Sequence, residues 1–435
     1  MYPLLKIFAL FAFGIGLTLP VQALTLAEAM SHALNHDPTY LAATRARDAG
    51  QEKKAQGRAN LLPTITATGT DGRIDRDGVA RKLDTRTYVV SLSQPLLDLA
   101  AIRAAQQGSQ AAAAAEALFQ AAKQDTLLRV SSAYFEVLNA QAALTTIQSE
   151  KKAIGEQLES AKRSFEVGTA TVTDQQEAQA RFDLIMAAEI RAENTLNVRR
   201  QALSLIMGQP VPPQLPELQA NLQIPPPSPM NSDDWVAQAR SANFAVLRAT
   251  AEQEQARLQV SRQFAGHLPS LDLVASRNRT QDSTLAGGEV RTGSNFVGLN
   301  LTVPLLNGGA TISLVREASA LYAEASHRLD AAKLLAEQTA RESYLNVLAG
   351  LAQVNALRAA ERSSQLALES NRLGYDVGVR INIDVLNAQQ QLFAARRDLA
   401  KARNDTLLAV LQLRASVGGL QPSDVEDISQ VISAR

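Results

Sequence analysis

The sequence predicts a mainly α-helical fold with a small β part, built as two tandem units, each a helix, a strand pair and a long helical hairpin. Three observations predict it. FEVGTATVTDQQEAQ, starting at Phe165, is echoed 210 residues later by YDVGVRINIDVLNAQ, starting at Tyr375, and repetition at a fixed offset marks a duplicated unit. No Pro occurs from Leu96 to Gln209 or from Leu305 to Gln421, and both stretches are rich in Ala, Leu, Gln, Glu and Arg, which favour helix. Ahead of each stretch, apolar and small polar residues alternate with the period of a strand.

The duplication is spelled out by further pairs. Leu62-Pro63 recurs as Leu268-Pro269, Gln94 to Asp98 as Val303 to Asn307, Ser132-Ala133-Tyr134 as Glu342-Ser343-Tyr344, and Gly208 as Gly418. The offset grows from 206 to 209 and then holds at 210, so length differences are confined to the turn-rich early part of each unit. The first unit spans 24–208, with strands at about 64–73 and 87–94 and a helical hairpin at about 98–207. A Pro-dense linker, 209–231, follows, whose composition favours extended chain. The second unit spans 232–418, with strands at about 271–279 and 294–304 and a hairpin at about 307–417, leaving 419–435 as a C-terminal tail.

Each element has a local reason. Tyr88, Val90 and Leu92 alternate with Val89, Ser91 and Ser93, and Val297, Leu299, Leu301 and Val303 with Gly298, Asn300 and Thr302. Thr64 to Ala67 and Leu271 to Ala275 supply a weaker partner strand in each unit, with charged or Gly-rich loops expected at 74–86 and 280–293. In the helices, Leu127, Val130, Tyr134, Val137 and Leu138 follow a three-four spacing, as do Tyr344, Val347, Leu348, Leu351 and Val354. A helix from Leu99 to Val167 would be roughly 100 Å long, so it must be covered by partners in a coiled-coil-like bundle. Gly168 and Gly378 interrupt the two helical runs at equivalent places and can take the positive φ that ends a helix. Polar residues at Thr171 to Asp174 and at Asn382 can cap the returning helices, with Asp174 to Glu177 as a capping box. In that reading Asp174 and Asp384 are first-turn carboxylates facing the helix dipole.

Composition excludes several function classes. Hydrophobic residues make up 46% of the 435, mostly Ala and Leu, with only 4% aromatic, which suits helices touching along seams rather than one thick core. The 43 basic and 43 acidic residues are scattered, so no basic stripe is offered to nucleic acid. His32 and His36 are four apart but have no third ligand at recognisable spacing, and no catalytic triad or phosphate loop is evident, so neither cofactor nor enzyme activity is expected. Residues 1–23 read as a signal peptide: Lys6, an apolar stretch from Ile7 to Leu17, and Val21-Gln22-Ala23 at the cleavage site. There is no Cys, hence no disulfide and no site for a lipid anchor on Cys.

Four strands per chain leave two unpaired edges, while closed membrane barrels start at about eight strands. Three chains would supply twelve. A soluble sheet packed on a helix fits the same alternation, and the period alone does not decide between them.

The duplicated order, together with Gly374 to Ala388, Phe165 to Asp183 and the signposts above, resembles the TolC-like outer-membrane channel family over essentially the whole mature chain. The resemblance implies a homotrimer with a twelve-stranded β-barrel in the outer membrane of a Gram-negative bacterium. It also implies a long α-helical periplasmic tunnel and a passive exit duct for drugs or type I secreted proteins. The implied partners are a periplasmic adaptor (membrane fusion) protein, an inner-membrane ABC or RND transporter, and outer-membrane lipid. By matched position, Tyr375 and Arg380 would bond Thr173 and Asp174 to close the tip, and Asp384 would form an acidic selectivity ring. Where relatives place a second Asp, this chain has Asn387, so a weaker ring is expected. The alternative is a non-conducting periplasmic coiled coil with a structural or chaperone-like role.

Overall fold

The computed structural model describes residues 24–75, 77, 82–216, 218, 222–284 and 286–433. The expected signal peptide at 1–23 lies outside them. In chain order the elements are α1 (Leu26–His36), α2 (Pro38–Ala59), β1 (Thr64–Ile74), β2 (Leu83–Leu97), α3 (Leu99–Glu166) and α4 (Val172–Met207). The second unit follows with α5 (Ser232–Ala242), α6 (Phe244–Phe264), β3 (Ser270–Ser283), β4 (Glu289–Thr302), α7 (Ala310–Asp376) and α8 (Asn382–Ser416), and then α9 (Pro422–Ser433).

Side-chain caps set the helix starts. Thr25 and Glu28 form a reciprocal capping box on α1, and Asp37 caps α2, where Pro38 loses nothing by lacking an N–H. Asp98 accepts from the Ala101 N–H to start α3, whose 68 residues make a rod about 100 Å long. Asn231 and Asn243 do the same for α5 and α6. Where α2 crosses α3, Gly57 and Gly108 let the backbones meet: a Cβ at Gly108 would stand 2.3 Å from the Lys53 carbonyl oxygen.

The sheet is antiparallel throughout, in the order β1-β2-β3-β4. The strands run further than expected into the segments expected to be loops: β2 starts at Leu83, β3 continues to Ser283 and β4 starts at Glu289. Those extensions carry polar residues on both faces, with Arg86 and Arg291 on one and Thr85, Thr280 and Thr292 on the other, so backbone pairing holds them where no apolar alternation signals it. Ion pairs across β1 and β2 support the extension, Arg73 to Asp84 at 2.7 Å and Arg86 to Asp71 at 3.2 Å.

Packing orders the elements into one wall, four elements wide from end to end. Beneath β1, β2, β3 and β4 stand α2, α3, α6 and α7 in that order; further down, α4, α3, α8 and α7 stand side by side. The main core lies at the middle of the wall, where Leu127, Val130, Tyr134, Val137, Leu203, Met207 and Leu411 pack with α1 and α9. The segment 419–435, expected as a tail, is thus helical over Pro422–Ser433 and contributes fully buried Val425. Two equivalent tyrosines pin the start of each unit: Tyr134 donates to the Leu24 carbonyl at 3.0 Å and Tyr344 to the Met230 carbonyl at 2.6 Å. Burial and the nearby Glu28 carboxylate push the Tyr134 hydroxyl well above its ordinary range, so it remains a donor.

Candidate functional site

At the far end of the wall the two hairpins close in turns with the same backbone. Gly168 and Gly378 both have φ of 80°. In the first turn Gly168 N–H donates to Phe165 O (3.0 Å), and Thr169 and Ala170 N–H donate to Ser164 O (2.8 and 3.1 Å). In the second, Gly378 donates to Tyr375 O (3.0 Å), and Val379 and Arg380 donate to Gly374 O (2.8 and 3.0 Å). Left-handed glycine and returning N–H bonds are what satisfy the last carbonyls of a helix.

The side chains diverge. In the first tip Thr171 is the N-cap and Asp174 the third helical residue. Thr171 Oγ1 accepts from Asp174 N–H (3.2 Å), while an Asp174 carboxylate oxygen accepts from the Thr171 N–H (2.9 Å) and hydroxyl (2.8 Å). The capping box is therefore Thr171 with Asp174, three residues ahead of the expected Asp174 with Glu177. In the second tip the N-cap position holds Ile381, which has no capping side chain. Asn382, expected as a cap, is instead buried and turned onto the first hairpin: Gln157 Nε2 donates to its Oδ1 at 2.6 Å and its Nδ2 donates to the Asp174 carbonyl at 3.4 Å.

Within one chain, Tyr375 and Arg380 are not brought onto Thr173 and Asp174. Tyr375 packs against Leu368, Val385, Ala388 and Leu392. Arg380 pairs with Asp384 one turn ahead, at 3.6 Å. Thr173 is exposed, and Asp174 is engaged in its own cap. Asn387, exposed on α8, accepts from Arg181 Nη2 at 2.9 Å, and Gln390 accepts from Arg181 Nη1 at 2.8 Å. Gln157 and Arg181, which join the two hairpins, carry no signal in the sequence, because their partners lie 225 and more than 200 positions away. His32 and His36 belong to the linker packing: His36 Nδ1 meets the His32 carbonyl, and Gln209 reaches His32. Among the described residues no group of three or more potential ligands could hold a metal ion.

At the other end, the strand register separates two faces of the sheet. On one lie Ile65, Val90, Leu92, Leu273, Ala275, Val297 and Leu299, cross-strand partners or near neighbours, with Val297 75% and Leu299 64% exposed. On the other lie Thr64, Thr66, Thr68, Ser91, Ser93, Ser276, Asn278 and Ser294, with Val89, Val274 and Phe296 among them. No described helix is long and apolar enough to cross a membrane.

The family model described as outer membrane efflux protein matches residues 29–209 and 235–419, one range for each unit and nothing in most of the linker. The chain belongs to the outer membrane efflux protein family. Outer membrane protein TolC of Vibrio cholerae serotype O1 is 35% identical over 433 residues, 99% of this chain and 98% of the relative. Alkaline protease secretion protein AprF of Pseudomonas aeruginosa is 31% identical, covering 93% of this chain and 86% of the relative. Among solved structures, CusC superimposes with a TM-score of 0.80 at 16% identity, covering 91% of this chain and 92% of that one. VceC of Vibrio cholerae gives 0.76 at 19%, covering 91% and 96%. The efflux-family chain is thus an exit duct of the Gram-negative outer membrane, in a family of channel proteins. A non-conducting periplasmic coiled coil is not favoured by these relatives.

Proposed function

We propose that three copies of this chain close into one conduit, with a twelve-stranded barrel in the outer membrane and a helical tunnel gated at its tips. The observation that carries this reading is that both layers of the wall are open on the same two flanks. Among the described residues, β1 and β4 each pair on one side only, and unpaired strand edges demand a partner. On the β1 flank, α4 exposes Val198 and Leu205; on the β4 flank, α7 exposes Leu314, Leu321 and Leu335. Both sets recur at multiples of seven, the spacing of a coiled-coil seam awaiting a partner helix. The flanks differ, so each copy adds head to tail, an arrangement that closes as a ring. Two copies would make a barrel of eight strands, whose interior side chains fill it; twelve strands leave a passage lined by the Ser and Thr face.

The apolar sheet face then meets lipid, and the tips form the tunnel's closed end. Arg380 and Tyr375, which find no partner on their own chain's Thr173 and Asp174, are available to those residues of a neighbouring copy. An Arg–carboxylate contact at such a site biases closure yet yields to a docked partner. Three Asp384 carboxylates ring the constriction, moderated by their Arg380 partners and by the neutral Asn387. A periplasmic adaptor and an inner-membrane transporter would dock and open the tips, so that cargo, drug or secreted protein, is selected upstream. The mass of the detergent-solubilised full-length protein tests the assembly: three chains per particle with cation-selective steps in a planar bilayer is the expected result. A monomeric particle, or a trimer that never conducts, overturns it.

A further inference from the structure

We propose that Arg277 and Arg279, with Tyr88 and Arg291 beside them, form a binding site on the outer rim of the sheet for phosphorylated headgroups of outer-leaflet lipid. The inference rests on the reading that the apolar sheet face meets lipid.

The rows of that face follow from the register. Leu97 and Leu271 face each other at the end nearest the helices, followed by Leu273 with Leu299, then Leu92, Ala275 and Val297. Next comes Arg277, flanked by Val90 and Asn295, and above it Arg279, flanked by Tyr88 and Gly293. Arg86, Gln281 and Arg291 form the row beyond, towards the hairpin turns. From Leu97 to Tyr88 the strand covers about 30 Å, or about 23 Å along a barrel axis at the usual tilt, close to the apolar band of about 25 Å in outer-membrane barrels. Tyr88 therefore stands at the upper edge of the band, where aromatic girdles lie, with Arg279 level with it and Arg277 one row lower.

Charges on this face are unevenly satisfied. Asp84 pairs with Arg73 and Asp71 with Arg86, while Glu289 lies 3.7 Å from Arg291 and accepts from Gln281. Arg277 and Arg279 are exposed, and their cross-strand neighbours are Val90, Asn295, Tyr88 and Gly293, none of them acidic. Two guanidinium groups at the edge of hydrocarbon, without carboxylates, call for an anion from the membrane itself, and their stems are long enough to reach the headgroup layer. A recess of about 470 Å³, lined by Tyr88, Arg279, Gln281, Arg291 and Gly293, opens beside Arg279. Gly293 leaves that recess open, since a Cβ there would meet nothing closer than 3.7 Å. Planar guanidinium groups bind phosphate oxygens in pairs, which suits a phosphorylated glycolipid better than a zwitterionic one.

The test uses the assembled full-length protein, stripped of lipid in detergent and offered lipid A with both phosphates or the same lipid with none, with bound molecules counted by native mass spectrometry. The wild type is expected to retain bisphosphorylated lipid A at roughly tenfold lower concentration than Arg277→Gln/Arg279→Gln, the loss of charge-assisted hydrogen bonds. The phosphate-free lipid should not distinguish the two proteins. Arg277→Lys/Arg279→Lys should retain part of the preference, and Arg316→Gln/Arg362→Gln on α7 all of it. Equal retention by wild type and the Gln variant, or equal retention of both lipids by the wild type, overturns the site. Insertion into phosphatidylethanolamine vesicles, measured in parallel, separates the two levels. Insertion with equal retention overturns the lipid site alone, whereas wild-type protein that fails to insert overturns the membrane barrel and the site with it.

Discussion

The two hairpin tips share one backbone and use it differently. Gly168 and Gly378 have the same φ, and the N–H groups that follow return to equivalent carbonyls. Yet the first tip caps itself through Thr171 and Asp174, whereas the second lacks a capping side chain and places Asn382 on the first hairpin. Duplication kept the turn, the part that only a left-handed glycine and short carbonyl distances can build. It released the polar side chains to join one hairpin to the other. The first tip is self-sufficient; the second is completed by its neighbour and leaves Tyr375 and Arg380 unengaged with the first tip of its own chain.

The sharpest way to break that comparison is to remove the two groups the second tip has to offer a neighbouring copy. Tyr375→Phe with Arg380→Ser is expected to raise single-channel conductance several-fold while leaving the fold intact, since Arg380 makes only an exposed 3.6 Å pair with Asp384 and such pairs contribute about 0–1 kcal/mol. It should also increase cation selectivity, because Asp384 loses its cationic partner. Unchanged conductance in planar bilayers would mean that the tips are closed by the hairpin-joining bonds alone.

Much of this was legible in the sequence. The seam Leu127, Val130, Tyr134, Val137 and Leu138 is buried as its spacing requires, because no Pro breaks the long helix and its two glycines, Gly108 and Gly155, lie outside the seam. Gly168 and Gly378 announced the turns. What the sequence withheld were contacts between elements far apart along the chain: Gln157 with Asn382, Arg181 with Asn387 and Gln390. Nothing local distinguishes those residues from any solvated helix face. The capping box was misplaced by one turn because Thr171-x-x-Asp174 and Asp174-x-x-Glu177 overlap, and only the geometry selects the first. The C-terminal helix has apolar residues at helical spacing, Val425, Ile428 and Ile432, but at twelve residues it is short, and it is fixed by packing on α1 and α8, the first of which lies about 390 positions away in the sequence.

Stability at the two tips sharpens the contrast on a smaller scale. Asn382→Ala leaves the Gln157 amide without its partner and removes a second bond from the Asp174 carbonyl, which α4 still engages, and is expected to cost about 1–3 kcal/mol, against about 1 kcal/mol for loss of the cap in Thr171→Ala. Amide hydrogen exchange reads each tip by itself. Asn382→Ala should speed exchange in both tips, because the bond spans them, while Thr171→Ala should act on the first alone. Gly168→Ala and Gly378→Ala, by contrast, should cost the same, about 1 kcal/mol each, since each forces a side chain into the left-handed region with open space around it. Unequal costs for the glycine pair would show that the two turns are not one backbone after all.

The smallest expected effect lies one step behind the tips, where the hairpins meet. Glu150 of α3 is buried in a groove lined by Ile147, Ile154, Leu184 and Leu386, with Arg181 and Arg397 as the charged groups facing it. Burial raises its carboxyl above the ordinary value of 4.5, and the two arginines offset that only in part. A carboxyl that holds its proton more tightly in the folded chain stabilises the fold below its ordinary value, and that contribution is lost as pH rises through the raised one. Glu150→Gln should therefore match the wild type in Tm at acid pH below the ordinary carboxylate range and exceed it slightly at neutral pH, the curves parting between the two values. If Arg181 and Arg397 instead make the charge favourable, the variant will lose Tm at neutral pH. The junction between the hairpins would then rest on an ion cluster as well as on the Arg181 bonds to Asn387 and Gln390, and the second tip would be tied to the first by charge as well as by Asn382.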